Sequence, residues 1–486
     1  MEFVENKAEE HRQIVGIFRD IFKYLPSKLI GTIGNAIVIP IYTSLLPPEQ
    51  YGLYALSIAF LSFLCIIFSD WVGLSGLRFF RQHQLANDLS KYLSILVCIL
   101  SMNILLMFCL CGIFHAGIVD FFKIPIKYFC AVLFLIIPVA IRALLFQLLR
   151  AQLKSVSYTF STILNQFLTI GLSIFFIKVF HLGAVAMLLA MGVSITIIDL
   201  ILMVQSNILK YFRKPEIKWG ILFPIILYGI PISATSLSAW MISQSNKFIM
   251  NHINGFTDVA FVGVAYGVTQ PILMTLFATI TVATIPRILR MFEEKIDVRP
   301  FVSRFCGYYM LLAIPIVLIM TIYPQELTRI LANSKFYDAY RIVPYFAIGT
   351  FFMGMTDYTT MQYHLANKTY IELVLKLISG LVNIILTLKL IPIYGLEGVG
   401  MATVSANVLY FVLTSIIMLP HYNMRFPFRQ ILCIALTLVP IDFLYQWLRT
   451  TTTSEAGQMI IILTVFYAIY YPINKIVPRK RPTANK

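Results

Sequence analysis

The sequence predicts an all-α polytopic membrane protein of about 14 transmembrane helices: two six-helix parallel repeats followed by a C-terminal helix pair. Three observations predict it. Hydrophobic residues make up 59% of the chain and charged residues 12%, against about a quarter charged in soluble domains. Apolar runs of about 20 residues, the length that crosses roughly 30 Å of hydrocarbon, recur along the whole sequence. Segments in its first half also return in its second.

The mean hydropathy of +0.82 exceeds what a water-soluble core can hide. The net charge of +16 comes from Lys and Arg scattered as short clusters between apolar runs, a pattern of membrane topology rather than of a nucleic-acid surface. No nucleic-acid partner is expected. The seven cysteines lie within or at the ends of apolar runs and read as small hydrophobes. The N-terminus has mixed charge and no short apolar core with a cleavage site, so no secretory signal is expected.

Six spans are placed near 29–46, 52–75, 92–114, 128–149, 156–177 and 184–206. After the polar interval NILKYFRKPEIKW come six more, near 221–243, 259–285, 303–323, 342–363, 370–391 and 397–419, and then two near 431–448 and 458–476. The expected parts are an N-terminal cytoplasmic or interfacial segment (1–27), a first lobe (28–215), a second lobe (216–424), an extra helix pair (425–477) and a basic tail (478–486). With the N-terminus inside, the inner segments hold 26 Lys and Arg and the outer loops nine. That asymmetry places both termini in the cytoplasm.

The stretch LLRAQLKSVSY…HLGAVAMLL resembles YHLANKTYIEL…YGLEGVGMAT 214 residues later, and YGLY at 51–54 meets VGVA at 262–265 with an offset of 211. A duplicated unit of six spans enters the membrane twice from the same side. Its copies are therefore parallel repeats with a cavity between them.

LIGTIGNAIVIPIYTSLLPPEQYGLYAL, the LLRAQLKSVSY turn, YGIPISATSLSAWMISQSNKFIM and NIILTLKLIPIYGLEGVGMATV together resemble the Wzx-type polysaccharide or O-antigen flippases. These belong to the multidrug, oligosaccharidyl-lipid and polysaccharide exporter superfamily. The likeness runs from about residue 18 to 476. It implies a MATE-like fold and a flippase that moves a lipid-linked oligosaccharide, on an isoprenoid pyrophosphate, across the bacterial cytoplasmic membrane for O-antigen, capsule or exopolysaccharide assembly. Implied partners are that substrate, membrane lipids, and a polysaccharide polymerase or other assembly proteins. Where many relatives place an acidic residue and an arginine after the seventh span, this chain has Asn246 and Lys247.

Charges within the spans are the candidate site. Arg142 precedes Arg150 by eight residues, Lys376 follows Lys368 by eight, and Asp70 precedes Arg78 by eight. Each is thus about 12 Å into its helix, beyond easy snorkelling reach. Asp199 and Asp357 lie about 16 Å in by the same measure. A charge at the centre of a lipid-facing helix costs roughly 2.5–3.5 kcal/mol, so five at similar depth call for a wet cavity or mutual pairing. Arg142 and Lys376 are candidate substrate-phosphate cations. The alternative is structural pairing, of Arg142 with Asp70 or Asp199 and of Lys376 with Asp357. Asp70, Asp199 and Asp357 are candidates for proton or sodium coupling. Asn383 joins them by resemblance to the related peptidoglycan-precursor flippases, with packing as its plainer role. Glu372, four residues past Lys368, reads as an interfacial helix-end carboxylate.

No GxxxxGK[ST] loop is present and the seven histidines show no metal spacing, so no ATP hydrolysis, metal or other cofactor is expected. An enzyme is the weaker class. The alternatives are a cation-coupled multidrug (MATE-type) antiporter, which favours a carboxylate-lined cavity, and a non-transporting polysaccharide polymerase, which needs a larger outer loop than any here.

Overall fold

The computed structural model describes residues 34, 37–206, 219–419, 426–450 and 454–476, which are helical and carry no strand. The first helix, α1, is described over 37–45. It is followed by α2 (Pro48–Phe68), α3 (Asp70–Leu85), α4 (Leu89–Ile113), the short α5 (His115–Phe122), α6 (Ile126–Ala151), α7 (Ser155–Phe180) and α8 (Ala184–Ser206). The second series is α9 (Trp219–Ser243), the short α10 (Ser245–Ile253), α11 (Phe256–Glu293), α12 (Arg299–Ile322), the short α13 (Pro324–Leu331), a 3-10 turn (Ser334–Arg341), α14 (Val343–Leu365), α15 (Thr369–Tyr394) and α16 (Leu396–Ile416). The pair α17 (Phe428–Leu448) and α18 (Glu455–Ile476) closes the chain.

Among the described residues, twelve helices are long and apolar enough to cross a membrane, two fewer than the expected fourteen. The expected first span falls partly outside the described residues. The expected tenth is α14, which has the length but is diluted by Thr350, Thr356, Asp357, Thr359, Thr360 and Gln362. It can be this polar because it packs among α11, α12 and α16 rather than against lipid. Thr359 and Thr414 share a 2.6 Å hydrogen bond across α14 and α16, and Gln362 Nε2 donates to Thr414 O at 3.1 Å.

The expected second span is two helices, broken at Ser69 (φ −132°, ψ −43°). Breaking a helix inside a membrane frees carbonyls that no water can satisfy. Here four successive ones each accept a side-chain donor. Ser69 Oγ reaches Cys65 O at 3.1 Å, Ser233 Oγ reaches Ile66 O at 2.5 Å, Trp71 Nε1 reaches Ile67 O at 3.1 Å and Asn103 Nδ2 reaches Phe68 O at 3.1 Å. Two donors come from α4 and α9, so the break is fixed by its neighbours.

Within the first series α7 packs on α8, α8 on α6, and α6 on α3 and α2; in the second, α15 packs on α16 and α9, and α14 on α16 and α12. The two series meet where α2 lies against α11 and α3 against α9. Glycines make the first of these contacts close. A Cβ on Gly52 would sit 1.8 Å from Phe256 O, and one on Gly263 would sit 3.2 Å from the Ala55 methyl. These are the two glycines of the YGLY and VGVA segments, each in the path of the other's helix.

The longer repeat is also visible in the turns. Leu153 (φ 58°) and Asn367 (φ 56°), 214 residues apart, both adopt the left-handed conformation, and at the same offset His181 (φ 52°) and Gly395 (φ 54°) both have positive φ. Lys154 N donates to Leu149 O at 2.9 Å and Lys368 N to Tyr363 O at 2.8 Å, the same six-to-one helix closure.

The closing pair packs on each other and touches α12. Tyr323 Oη donates to Gln458 Oε1 at 2.9 Å, and Arg429 Nη2 donates to Asn474 O, tying α17 to α18.

Candidate functional site

Arg142 is presented by α6, one turn after Pro138, which lies inside that helix and withholds a backbone donor. Its Nε donates to Asp199 Oδ1 on α8 at 2.9 Å, and its Nη2 to Ile195 O at 2.9 Å. The guanidinium also lies 5.3 Å from the Phe146 ring centroid. Side-chain exposure is 11% for Arg142 and 5% for Asp199, so the pair is internal. The structure thus resolves one expected alternative: Arg142 meets Asp199, and Asp70 is not its partner. Asp199 Oδ2 has no hydrogen bond, leaving one buried acceptor of this pair unused.

Lys376 is held otherwise than expected. Its Nζ lies 3.4 Å from Glu372 Oε1, one helical turn back on α15, and 5.5 Å from the Tyr410 ring on α16. Glu372, in the first turn of α15, is buried and gathers three groups. His364 Nε2 stands 3.0 Å from Oε2, while Tyr410 Oη donates to Oε1 at 3.5 Å. This clustering has a simple cause. The turn at 366–368 folds α14 and α15 together, so the fourth residue of α15 faces α14 and α16 rather than the rim. The i, i+4 spacing of Glu372 and Lys376 was the available signal.

Asp357 is exposed although its neighbours Thr356, Tyr358, Thr359 and Thr360 are buried. It makes no ion pair with Lys376, because Glu372 has taken that place. Asp70 opens α3 at the Ser69 break, with Ser69 Oγ 3.3 Å from its Oδ1. Asn383 on α15 is wholly buried, and neither atom of its amide has a hydrogen bond. One turn on, Thr387 Oγ1 is likewise without one. These are unusual losses for buried polar atoms. Among the described residues no group of three His, Cys, Asp or Glu could hold a metal ion.

Two further features belong to the second repeat, one at Lys247, which the sequence marked only as a departure from the relatives' pattern, and one that the sequence did not reveal. Lys247 on α10 is buried with Gln244 Oε1 (2.7 Å) as its acceptor and the Tyr266 ring 5.7 Å away. No carboxylate lies within ion-pair distance of it among the described residues. The second is a narrow cleft lined by α9, α11, α14, α15 and α16, with Lys376, Tyr410, Tyr266 and Thr403 among its lining residues. A cavity of about 470 Å³ between α4 and α6 is lined by hydrocarbon apart from Ser101 and carries no charged group.

The five expected in-span charges therefore do not form one cluster. Arg142 and Asp199 join α6 to α8, Lys376 joins Glu372 near α16, and Asp70 and Asp357 stand apart from both pairs. Each cation rests on an internal carboxylate.

With this geometry in place, likeness to known proteins becomes informative. The polysaccharide biosynthesis protein family matches residues 17–292, more than half of the chain. The chain belongs to that family. Among solved structures, the lipid II flippase MurJ in an inward closed conformation is 14% identical, with 95% of this chain and 98% of that one covered and a TM-score of 0.71. A multidrug resistance MATE family transporter of the MOP superfamily, inward-facing, is 14% identical over 80% of this chain and 94% of its own, with a TM-score of 0.65. A MATE structure in the straight conformation gives 16%, 82%, 95% and 0.56. No curated protein matches the sequence. The chain thus has the fold of the MurJ and MATE transporters, which are not enzymes, and it is a multi-pass membrane protein of polysaccharide biosynthesis.

Proposed function

We propose that the chain is a flippase that carries an oligosaccharide linked to an isoprenoid pyrophosphate across the bacterial cytoplasmic membrane, by alternating access, with both termini in the cytoplasm. The product would serve O-antigen, capsule or exopolysaccharide assembly. The moving bodies are the lobes 28–215 and 216–424, and the pair 425–477 packs outside them. The observation that carries this reading is the pair of internal cations, Arg142 and Lys376, one from each repeat and each resting on a carboxylate it can leave. A polyanionic headgroup offers stronger, multiple acceptors than one carboxylate, and the planar Arg142 fork suits phosphate oxygens. A cation-exporting antiporter has no use for Arg142 and Lys376 at this depth.

When Arg142 turns to phosphate, Asp199 is left buried and alone, a costly state unless it takes up a proton or a cation. Asp199 is therefore the first candidate for ion coupling. Asp70 and Asp357 follow, being unpaired carboxylates, and the unsatisfied Asn383 and Thr387 offer neutral oxygens to a sodium ion.

Export of lipid-linked sugar, normalised to inserted protein in a strain lacking its own flippase, tests the reading. Arg142→Ala and Lys376→Ala should each reduce export at least tenfold at unchanged insertion. Full export by both variants would remove the basis of the proposal.

A further inference from the structure

Beyond the break at Ser69, α3 and the first half of α9 lie side by side, one from each repeat, and what joins them is slight. Ser75 Oγ donates to Ile225 O at 3.4 Å. The Phe79 and Tyr228 rings meet edge to face with centroids 5.7 Å apart. Trp71 fills a notch at Gly229, where a Cβ would come within 2.2 Å of the indole Cε3. α9 carries no charged residue, so no ion pair can cross this seam. The bond from Ser233 Oγ to Ile66 O, at 2.5 Å, marks its upper end at the level of the break.

The two sides of the seam belong to the two cations. α3 packs on α6, the helix of Arg142, so closely that a Cβ on Gly73 would sit 3.2 Å from Ala143 O. α9 packs on α15, the helix of Lys376, and a Cβ on Gly380 would sit 3.2 Å from Ser238 O. Parting α3 from α9 therefore opens a slit between the Arg142 helix and the Lys376 helix. The outer lip of that slit is hydrocarbon. Phe223, Leu227 and Ile230 are exposed, and their helical spacing puts them on the face of α9 opposite Ile225, Tyr228 and Gly229.

We infer that α3 and α9 form a lateral gate, latched by Trp71 in the Gly229 notch, through which the headgroup passes from the cytoplasmic side while the lipid chain stays in the bilayer. The inference rests on the flippase reading and adds the route of entry to it. An ionic latch would strand a charge in the membrane each time it opened. Ring contacts and one long hydrogen bond strand little. α3 is already separated from α2 by the break at Ser69, so it can swing without unravelling the longer helix.

The test reads gate and transport separately, in the full chain with its seven native cysteines replaced. Spin labels on Gln82→Cys and Phe223→Cys, both exposed, should report one dominant short distance in nanodiscs. Gly229→Val should add a longer one by wedging the latch. Gly220→Val should not, because a Cβ there meets nothing within 4 Å. Trp71→Leu combined with Gly229→Val should restore the short distance by making room for the valine. For transport, Phe79→Cys and Tyr228→Cys joined by a short bis-maleimide should export lipid-linked sugar at least tenfold less than either single-cysteine protein treated alike. Unchanged distances in Gly229→Val would show that Trp71 is not the latch. Normal export by the joined protein, or failure of the two cysteines to join, would show that α3 and α9 are not the gate. In each of these cases the inference falls, and loss of export in Arg142→Ala and Lys376→Ala keeps the flippase reading standing. If those two variants also export normally, both fall.

Discussion

Arg142 shows how a residue can be legible in kind and illegible in partner. Its depth follows from counting along α6, and depth alone excludes a lipid-facing arginine. Both α3, which carries Asp70, and α8, which carries Asp199, lie beside α6, so the choice depends on which carboxylate comes level with Arg142. That is a tertiary fact, supplied by α8 and its 2.9 Å contact. Glu372 is legible in the same partial way: its distance from the end of α15 is visible, but its partners on α14 and α16 are not. The Arg142–Asp199 pair makes a quantitative prediction. Removing one partner of a buried ion pair costs about 3–5 kcal/mol, because the other charge is stranded, whereas replacing both with apolar groups is often near neutral. Arg142→Met and Asp199→Leu should each lower the melting temperature of the protein in nanodiscs, and the double variant should recover most of the loss. Equal or additive losses would show that the pair is not an isolated unit. Arg142→Lys should keep the fold but export less than a charge-only account allows, since lysine offers a point charge in place of the planar fork.

At the scale of elements, the repeat was readable wherever it is carried by turns and glycines. Leu153 is the informative case. It holds a left-handed conformation (φ 58°) that costs an L-residue about 1–2 kcal/mol, at a position where the second copy has Asn367, a residue that tolerates it. Leu153→Asn should therefore raise stability by about 1 kcal/mol, read as a higher melting temperature with unchanged export. An unchanged or lower value would mean that the exposed leucine contributes by lying in the membrane interface. Gly52 predicts the opposite sign. Alanine there places a methyl 1.8 Å from Phe256 O, so α2 and α11 must separate, at a cost of about 1–3 kcal/mol or more. The measurement is the yield of monodisperse protein after extraction, and a normal yield would show that this contact gives way easily. The break at Ser69 escaped the sequence because no proline marks it. Its cause is spread over Ser233, Trp71 and Asn103, three residues that each look ordinary within an apolar run.

For the whole molecule, fold class followed from composition and repetition. The span read from the sequence at 342–363 is α14, less apolar than the others because its threonines and Gln362 face other helices instead of lipid. Orientation is carried by charge: 26 Lys and Arg on one side of the expected topology against nine on the other. The geometry adds a consistent grouping of helix ends. Asn251 Nδ2 donates to Lys123 O at 3.3 Å and Asn333 N to Thr43 Oγ1 at 3.1 Å, which gathers the expected outer turns of both repeats at one end of the bundle. Trp240 Nε1, bonded to Ala59 O at 3.1 Å, ties the repeats together further in. If that end faces outward, these contacts close the protein to the exterior, and Arg142, Lys376 and the cleft are reached from the cytoplasm. With the seven native cysteines replaced, a cysteine at position 335 should react with an impermeant maleimide added to intact cells. One at position 214, in the basic interval between the repeats, should react only after the membrane is opened. The reverse pattern would invert the protein in the membrane and turn the proposed exporter into an importer, a direction that polysaccharide assembly outside the cell could not use.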